Sequence, residues 1–300
     1  MEILLSSPRG FCAGVVRAIE IVEQAISLYK PPVYVKHEIV HNPYVVLSLE
    51  KKGAVTVENI RDIPEGSTVI FSAHGSPPED FALAKKHNMN IIDATCPLVT
   101  RVHNEAKKYS REGRRIILVG HKGHIEVRGS MGQVDDAVLV DEPSGEFIPK
   151  WDENTAVAVL TQTTLSVDDT ANTIKNIKHR FPSAIIRNDV CYATTNRQEA
   201  TKKLADKVDL VLVIGAQNSS NCNRLREVAH ARGVPAHLIN SVEELDVSWL
   251  EGINKVGITS GASTPETLLD EVISKLKPES VETLSSIEED VTFVLPDNLK

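Results

Sequence analysis

The strongest constraint on the fold of this chain is a repeated alternation of short apolar runs with amphipathic, helix-like stretches. The apolar runs are rich in β-branched residues, and a helical pattern follows most of them. Strands that alternate with helices are typical of parallel sheets, because a helix is the usual crossover between parallel neighbours. The sequence therefore predicts an α/β fold with mainly parallel sheets.

The pattern predicts where most strands and helices lie. Strands are expected at residues 3–6, 33–36, 68–72, 91–93, 115–119, 156–160, 185–187, 210–214 and 255–259. Helices are expected at 13–28, 43–52, 77–87, 97–111, 167–180, 195–208, 222–232 and 265–277. Asn42 followed by Pro43 predicts a capped helix start, and residues 76–79 and 263–266 have the spacing of capping boxes.

The loops after the predicted strands carry most of the reactive side chains. They contain the segments SPRGFCAG, SAHGSPPE, DATCPLVT, GHKGHIEV, TQTTLSVDD, DVCYATTN, GAQNSSNCN and TSGASTPE. In open α/β sheets, ligands bind beyond the carboxyl ends of the strands, where these loops are expected. The sequence therefore predicts a functional site built from several distant loops.

Three of the four cysteines occupy matching places, each between a predicted strand and the next helix. Cys12, Cys96 and Cys191 are 84 and 95 residues apart. This spacing predicts three pseudo-repeated α/β domains, residues 1–96, 97–190 and 191–280, around a central site. The first would carry Cys12, the second would follow directly after Cys96, and the third would start at Cys191. Residues 281–300 are expected to form a tail, in which the stretch VTFVLP predicts a closing strand.

A thiol at a helix N-terminus has a lowered pKa, because the helix dipole favours the metal-binding thiolate. Three thiolates from distant segments suit either a zinc site or an iron–sulfur cluster. The close C-x2-C pairs of structural zinc sites are absent from the sequence. Cubane clusters usually take four cysteines, so three would leave one iron open to a substrate. Cys222 has no equivalent strand–loop context and is expected to have a packing or surface role.

Composition narrows the range of partners. The formal net charge is -8 at pH 7, and aromatic residues make up 4% of the chain. Binding to nucleic acid or to an anionic membrane is therefore not expected. The sequence also has no apolar run of transmembrane length and no N-terminal signal pattern. We therefore expect a cytoplasmic protein, in which cysteines bind metals or act in catalysis rather than form disulfides.

The segment GHKGHIEV holds a second candidate centre, with His121, His124 and Glu126. In an extended loop, His124 and Glu126 would share one side and form a proton relay. The alternatives are a His/Glu zinc site, although the HExxH spacing is missing, and histidines that only cap helices or lie exposed. His41, His74, the segment NSSN and the segment GAS offer an anion site of imidazoles, amides, hydroxyls and helix N-termini. Neither a Walker motif nor GxGxxG after a strand is present, so a nucleotide cofactor is not expected.

Nine segments together resemble one known family. They are PRGFCAGVVRAI, YVKHEIVHNPYVV, FSAHG, DATCPLVTRVH, GHKGHIEVRGSMGQ, TQTTLSVDDT, DVCYATTNRQEA, NSSNCNRL and SGASTPE, and they cover most of residues 1–277 in order. The chain resembles the LytB family of 4-hydroxy-3-methylbut-2-enyl diphosphate reductases, which end the non-mevalonate isoprenoid route. So many long motifs in one order are far more specific than any one of them.

The resemblance implies an iron–sulfur oxidoreductase that removes an allylic hydroxyl by two-electron reduction. The products would be isopentenyl and dimethylallyl diphosphate. A [4Fe–4S] cluster at the centre of three α/β domains would be held by Cys12, Cys96 and Cys191, and one iron would lack a protein ligand. Oxidation would convert the cluster to a [3Fe–4S] form. A ferredoxin or a flavodoxin would be the electron donor.

The resemblance also implies roles for individual side chains. Glu126 would donate the proton to the leaving hydroxyl, Thr163 would orient that hydroxyl and Glu126, and His124 would lie near the diphosphate. The residues that would bind the diphosphate are His41, His74, Ser219, Ser220, Asn221 and Ser263. The chain departs from the family pattern at Ile125, where proline is usual, and at Ser130 and Cys222, but no change of role follows.

Two other functions fit the same residues. One is a non-catalytic metal-binding regulator built on the three thiols. The other is a zinc hydrolase that uses His121, His124 and Glu126. Anoxic purification separates these alternatives, because an iron–sulfur protein is brown and a zinc protein is colourless.

Overall fold

The computed structural model describes residues 1–141 and 148–299, which form a mixed α/β structure with three parallel sheets. The strands are β1 (Glu2–Ser7), β2 (Val33–Lys36), β3 (Ala54–Val57), β4 (Thr68–Phe71), β5 (Asn90–Asp93), β6 (Arg115–Gly120), β7 (Val138–Asp141), β8 (Val157–Thr161), β9 (Ile185–Ile186), β10 (Leu210–Ile214), β11 (Ala236–Ile239), β12 (Lys255–Ser260) and β13 (Ser280–Ser285). The helices are α1 (Ala13–Tyr29), α2 (Pro43–Glu50), α3 (Pro78–Lys86), α4 (Pro97–Arg111), α5 (Ile125–Met131), α6 (Val167–Arg180), α7 (Tyr192–Ala205), α8 (Ser220–Ala231) and α9 (Glu266–Leu276). Short 3-10 turns occur at Ile60–Asp62, Val242–Glu244, Val247–Leu250 and Asp297–Leu299. The predicted α/β class with parallel sheets is confirmed.

The chain packs into two compact units. Unit 1 comprises Met1–Val16, His41–Val45 and Tyr192–Thr292, and unit 2 comprises Arg17–Val40, Val46–Cys191 and the segment from Phe293 onward. Strand β1 therefore packs with strands of the C-terminal third of the chain. The domain limits at residues 96, 190 and 280 stay a prediction.

Unit 1 contains one five-stranded sheet with the strand order β11-β10-β12-β1-β13. Alternate residues of a strand face opposite layers, and β1 shows this directly. Ile3 belongs to the core that includes Leu268 and Leu269 of α9, whereas Leu4 belongs to the core that includes Leu204 of α7 and Leu225 of α8. Helices thus cover both faces of the sheet, as is usual for parallel strands.

Unit 2 contains two four-stranded sheets, with the orders β3-β2-β4-β5 and β7-β6-β8-β9. In the first, Phe71 of β4 stacks on Phe81 of α3 with ring centroids 3.9 Å apart. In the second, Val102 of α4 and Phe181, which directly follows α6, lie in separate cores built on alternate residues of β6 and β8. Among the helices of the described residues, none combines the length and the apolar character that a bilayer crossing requires.

The sequence prediction missed four strands, β3, β7, β11 and β13, and all four lie at sheet edges. The predicted closing strand in VTFVLP is wrong, since residues 291–296 have no strand and β13 lies upstream at Ser280–Ser285. The reason is pairing: β13 already occupies the edge beside β1, with Glu2 opposite Ser280. Downstream of it, the Val294 carbonyl accepts a hydrogen bond from Arg17 Nε at 2.8 Å instead of a strand partner.

Of the three predicted helix caps, one is confirmed and two are wrong. Asn42 caps α2 as predicted, because its Oδ1 accepts from the backbone N of Tyr44 at 3.0 Å. The two predicted capping boxes are wrong, since Pro77 and Pro265 occupy the N-cap positions of α3 and α9 without a side-chain cap bond. The sequence prediction also missed α5, and the expected extended loop around Glu126 is instead the first turn of this helix.

Candidate active site

Each of the three cysteines with matching contexts lies directly before a helix, as predicted, and each is partly buried. Cys12 precedes α1, Cys96 is the N-cap of α4, and Cys191 precedes α7. Their backbone N–H groups are fixed by carbonyls of neighbouring loops, with Cys12 N to Ala262 O at 3.2 Å and Cys96 N to Ala73 O at 3.0 Å. Backbone hydrogen bonds therefore hold the loops that present Cys12 and Cys96 in place.

The turn before Cys12 is rigidly held inside unit 1. Gly10 has a φ of 69°, a left-handed conformation that favours glycine. Its N–H donates to Ser260 Oγ at 2.9 Å, and its carbonyl accepts from Arg197 Nη2 at 2.7 Å. Arg197 is 1% exposed and pairs with Glu289 at 3.0 Å, so the buried cation is compensated. This network fixes the loop that presents Cys12.

Arg17 supports the loop that presents Cys96 within unit 2. Its Nη1 donates to the carbonyls of Ala94 at 3.4 Å and Thr95 at 3.1 Å. Burial lowers the pKa of the Arg17 guanidinium, opposed by the charges of Asp93 and Cys96. Sequence reasoning missed Arg17, although a signal exists: an arginine among the buried positions of an apolar helix, beside Ala18 and Ile21.

Glu126 is the most strongly perturbed carboxyl of the site. It is 3% exposed, and both oxygens accept hydrogen bonds from Thr163, Oε1 from the backbone N at 2.7 Å and Oε2 from Oγ1 at 2.9 Å. Burial raises the pKa of Glu126 to about 7, against the two Thr163 bonds, which lower it; nearby Asp189 raises it further. A carboxyl with this pKa is well suited to exchange a proton near neutral pH.

Thr163 connects Glu126 to one of the cysteines. Its N–H and hydroxyl hold the carboxyl of Glu126, while its carbonyl accepts from Cys191 N at 3.0 Å. The structure therefore brings together Glu126 and Thr163, which were expected to cooperate. Asp189, 1% exposed and missed by sequence reasoning, lies in the same region and binds Thr161 Oγ1 through its backbone N at 2.9 Å.

His124 caps the helix that carries Glu126. Its Nδ1 accepts from Glu126 N at 3.2 Å, so His124 has the capping role weighed as one alternative for the loop histidines. The ring centroids of His124 and His74 are 6.4 Å apart, and His74 Nδ1 is 3.4 Å from Ser72 Oγ. His74, His124 and Glu126 thus lie in one neighbourhood of unit 2.

A polar loop cluster of unit 1 contains the remaining predicted site residues. Ser219 caps α8 through its Oγ, which accepts from Cys222 N at 3.4 Å, and Ser220 is the first residue of that helix. Ser263 Oγ donates to the carbonyl of His41 at 2.9 Å. Asn221 is buried, and neither its amide N nor its amide O has a hydrogen-bond partner among the described residues.

Cys222 has the predicted packing role. It is fully buried, and its Sγ fits against two glycines, since a Cβ at Gly215 or Gly261 would lie 2.4 or 2.2 Å from the sulfur. Burial raises the pKa of the Cys222 thiol, which disfavours the thiolate. Cys222 is thus fully buried, whereas the three cysteines that precede helices are only partly buried.

The family model described as LytB protein matches residues 3–277 of this sequence. The chain belongs to the LytB family. A LytB-family relative from Aromatoleum aromaticum, named 4-hydroxy-3-methylbut-2-enyl diphosphate reductase, is 50% identical over 100% of this chain and 98% of its own length. A relative of the same name from Mannheimia succiniciproducens is 47% identical over 100% of this chain and 98% of its own length.

Solved structures support the same family. The E-1-hydroxy-2-methyl-but-2-enyl-4-diphosphate reductase from Plasmodium falciparum is 40% identical, with a TM-score of 0.96 over 100% of this chain and 96% of that chain. A second structure, of the (E)-4-hydroxy-3-methyl-but-2-enyl diphosphate reductase, is 33% identical with a TM-score of 0.66, over 92% of this chain and 99% of that chain. The LytB fold and this chain therefore share their architecture.

Proposed function

We propose that this chain is a 4-hydroxy-3-methylbut-2-enyl diphosphate reductase, which converts its allylic alcohol substrate to isopentenyl and dimethylallyl diphosphate. LytB-family membership across nearly the whole sequence and the names of full-length relatives support this function. The structural observation that carries it is the buried pair of Glu126 and Thr163, since the raised pKa of Glu126 keeps a proton available near neutral pH.

The reaction takes up two electrons and two protons. The bond between carbon and the allylic hydroxyl oxygen breaks, the oxygen leaves as water with one of the protons, and the other proton adds to carbon. Hydroxide is a poor leaving group, so the first proton must reach the oxygen as the bond breaks. We assign this transfer to the Glu126 carboxyl, with the Thr163 hydroxyl holding Oε2 and orienting the substrate.

An iron–sulfur cluster would supply the electrons and a Lewis-acidic iron at the hydroxyl. Cys12, Cys96 and Cys191 would hold it, and the donor chemistry fits, because all three are partly buried thiols that lie at helix starts. A set of three thiols leaves one iron of a [4Fe–4S] cluster without a protein ligand. We therefore propose a [4Fe–4S] cluster with one open iron.

The diphosphate would bind to imidazole, hydroxyl and amide side chains. They are His41, His74, Ser219, Ser220, Asn221 and Ser263, with His124 nearby. Asn221 supports this assignment, because an unsatisfied buried amide costs about 1–3 kcal/mol, which a phosphate partner would recover. The start of α8, at Ser220, presents backbone N–H groups that favour an anion. The diphosphate would thus anchor the substrate and position its alcohol.

The reductant would be a ferredoxin or a flavodoxin, and a reducing cytoplasm would keep the three ligand thiols unoxidised. The contacts of Glu126 count against the zinc hydrolase. In the zinc hydrolase, Glu126 would bind the metal, but both Glu126 oxygens already accept hydrogen bonds from Thr163.

Anaerobic purification followed by turnover tests the proposed function. We expect a brown protein with absorption near 400 nm that contains iron and sulfide, and that converts the allylic diphosphate when a low-potential dye supplies electrons. A colourless protein that binds zinc, or a brown protein without turnover, would contradict the proposal.

A further inference from the structure

A surface groove of about 540 Å³ runs along α4 in unit 2, beside the turn that carries Cys96. Thr95 and Pro97, the residues on either side of Cys96, both line it. A neighbouring cavity of about 200 Å³ shares Asp93, Thr95, Thr100 and Asn104 with the groove. We call this continuous depression the α4 groove.

Positive charge dominates the α4 groove. Its two parts are lined by four basic side chains, Arg17, Arg101, Lys107 and Lys108, and by two carboxylates, Asp93 and Glu105. The exposed Arg111 continues the same helix face one turn beyond Lys108. This surface has the opposite sign to the whole chain, which carries a formal net charge of -8.

The carboxylates of the α4 groove already have partners. Glu105 accepts from Arg187 Nη2 at 2.7 Å and from Nε at 2.9 Å, and Asp93 Oδ1 accepts from Thr95 N at 2.9 Å. Arg101 is 3.4 Å from the buried Asp189, but 46% of its side chain stays exposed. The exposed cations that line the groove on α4 are therefore Arg101 and Lys108, and the exposed Arg111 lies one turn beyond Lys108.

We propose that the α4 groove is the docking surface of an acidic, low-potential electron-carrier protein. This inference rests on the proposed function, because a reductase with this chemistry must receive two electrons per turnover at its cluster. A carrier seated in the groove would contact the residues on both sides of Cys96, one of the proposed iron ligands. Its negative surface would face the exposed cations of α4.

A protein partner fits the α4 groove better than a small anion. The groove is open, and its exposed cations are spread along α4 rather than converging on one point. The guanidinium of Arg17 is engaged with the backbone carbonyls of Ala94, Thr95 and Val294. Electron-transfer complexes are typically small and depend on complementary charge for their association rate.

Stopped-flow reduction of the anaerobic holoenzyme by reduced flavodoxin tests the proposal. Lys108→Glu together with Arg111→Glu reverses two exposed charges that are three residues apart on α4. Lys175→Glu with Lys178→Glu is the matched control, because both lysines are exposed and lie three residues apart on α6. We expect the α4 variant to lower the second-order rate constant at low salt about ten-fold or more, since steering contributes factors of about 10–10³.

Two further readouts separate docking from catalysis. Raising the salt from about 0.01 M to about 0.15 M shortens the Debye length from about 30 Å to about 8 Å, so the wild-type rate should fall steeply and the α4 variant's rate little. Calorimetric binding of oxidised flavodoxin should weaken only in the α4 variant, and turnover with a dye should be the same in all three proteins.

Each other outcome overturns the inference. Equal flavodoxin-driven rates in the α4 variant and the α6 control would refute docking at the α4 groove while leaving the reductase intact. Competition by inorganic phosphate at salt-matched ionic strength would identify the groove as a small-anion site. Failure of the wild type to turn over the diphosphate with the dye would remove the proposed function, and the docking proposal with it.

Discussion

The substitution Thr163→Val isolates the hydroxyl that holds the carboxyl of Glu126. Thr163 Oγ1 donates to Glu126 Oε2 at 2.9 Å, and this bond stabilises the ionised carboxylate. A hydrogen bond to a charged group contributes about 1.5–3 kcal/mol, and one pKa unit corresponds to about 1.36 kcal/mol. Valine keeps the backbone N–H bond to Oε1 and the side-chain volume, so the pKa of Glu126 should rise by roughly 1–2 units.

The sign of the expected pH effect follows from the role of Glu126 as the acid. The wild-type pKa is about 7, so kcat/KM should fall as the pH rises above this value and the carboxyl ionises. In Thr163→Val the protonated form of Glu126 persists to higher pH. The falling limb of the plot of kcat/KM against pH should therefore move upward by roughly 1–2 pH units. The plateau should be lower, because the hydroxyl also orients the substrate.

The assay is the pH profile of kcat/KM in anaerobic, dye-driven turnover. Thr163→Ser is the matched control, since it keeps the hydroxyl and should keep the limb near the wild-type position. Titration of the substrate diphosphate is common to all three enzymes and cancels in the comparison. A falling limb that stays in place in Thr163→Val, or moves to lower pH, would refute proton donation by a carboxyl that Thr163 holds.

Glu126→Gln should keep its iron and its substrate affinity but lose about 10²-fold or more in turnover, the contribution expected of a general acid; near-wild-type turnover would exclude Glu126 as the proton donor. Cys222→Ser should leave the iron content unchanged, because this thiol is buried by packing; iron loss would mean that the assignment of three ligands is wrong. Gly261→Ala should destabilise the fold by about 1–3 kcal/mol, because the new Cβ would lie 2.2 Å from Cys222 Sγ. Adding Cys222→Ala should recover most of this loss in denaturant unfolding, and no recovery would show that the sulfur is not the obstacle.

Interior strands were predictable from the sequence and several edge strands were not. Strands such as β8 and β10 are buried along their whole length, so they form continuous apolar runs. The missed strand β13, with the sequence SVETLS, is almost entirely exposed because it pairs only with β1 and lies at the sheet edge. An edge strand is held mainly by backbone hydrogen bonds, which leave no apolar pattern in the sequence.

The positions of the cysteines before helices follow from local pattern, and the structure confirms all three. Contacts between residues that are far apart in the sequence do not follow from the local pattern. The hydroxyl of Ser263 had a predicted local role in a capping box, but the structure pairs it with the carbonyl of His41, more than two hundred residues away along the chain. Arg17 likewise donates hydrogen bonds to the carbonyls of Ala94 and Thr95, and no rule of sequence spacing connects Arg17 to these residues.

The roles of Glu126 and Thr163 came from the resemblance, whereas the physical reason for them needed coordinates. The sequence places these residues 37 positions apart, and only the fold shows that Thr163 supplies two donors to one carboxyl. The missed helix α5 matters here as well. Because His124 caps α5, Glu126 lies in its first turn with the carboxyl inside the protein rather than on an open loop.

Anaerobic turnover of the allylic diphosphate by the purified holoenzyme, with products separated and counted, shows whether this chain is the proposed reductase. With a low-potential dye as electron source, we expect isopentenyl and dimethylallyl diphosphate in a sum equal to the substrate consumed. Two electrons should be used for each molecule converted. Consumption of the substrate by hydrolysis of its diphosphate, or no conversion by an iron-loaded protein, would contradict it.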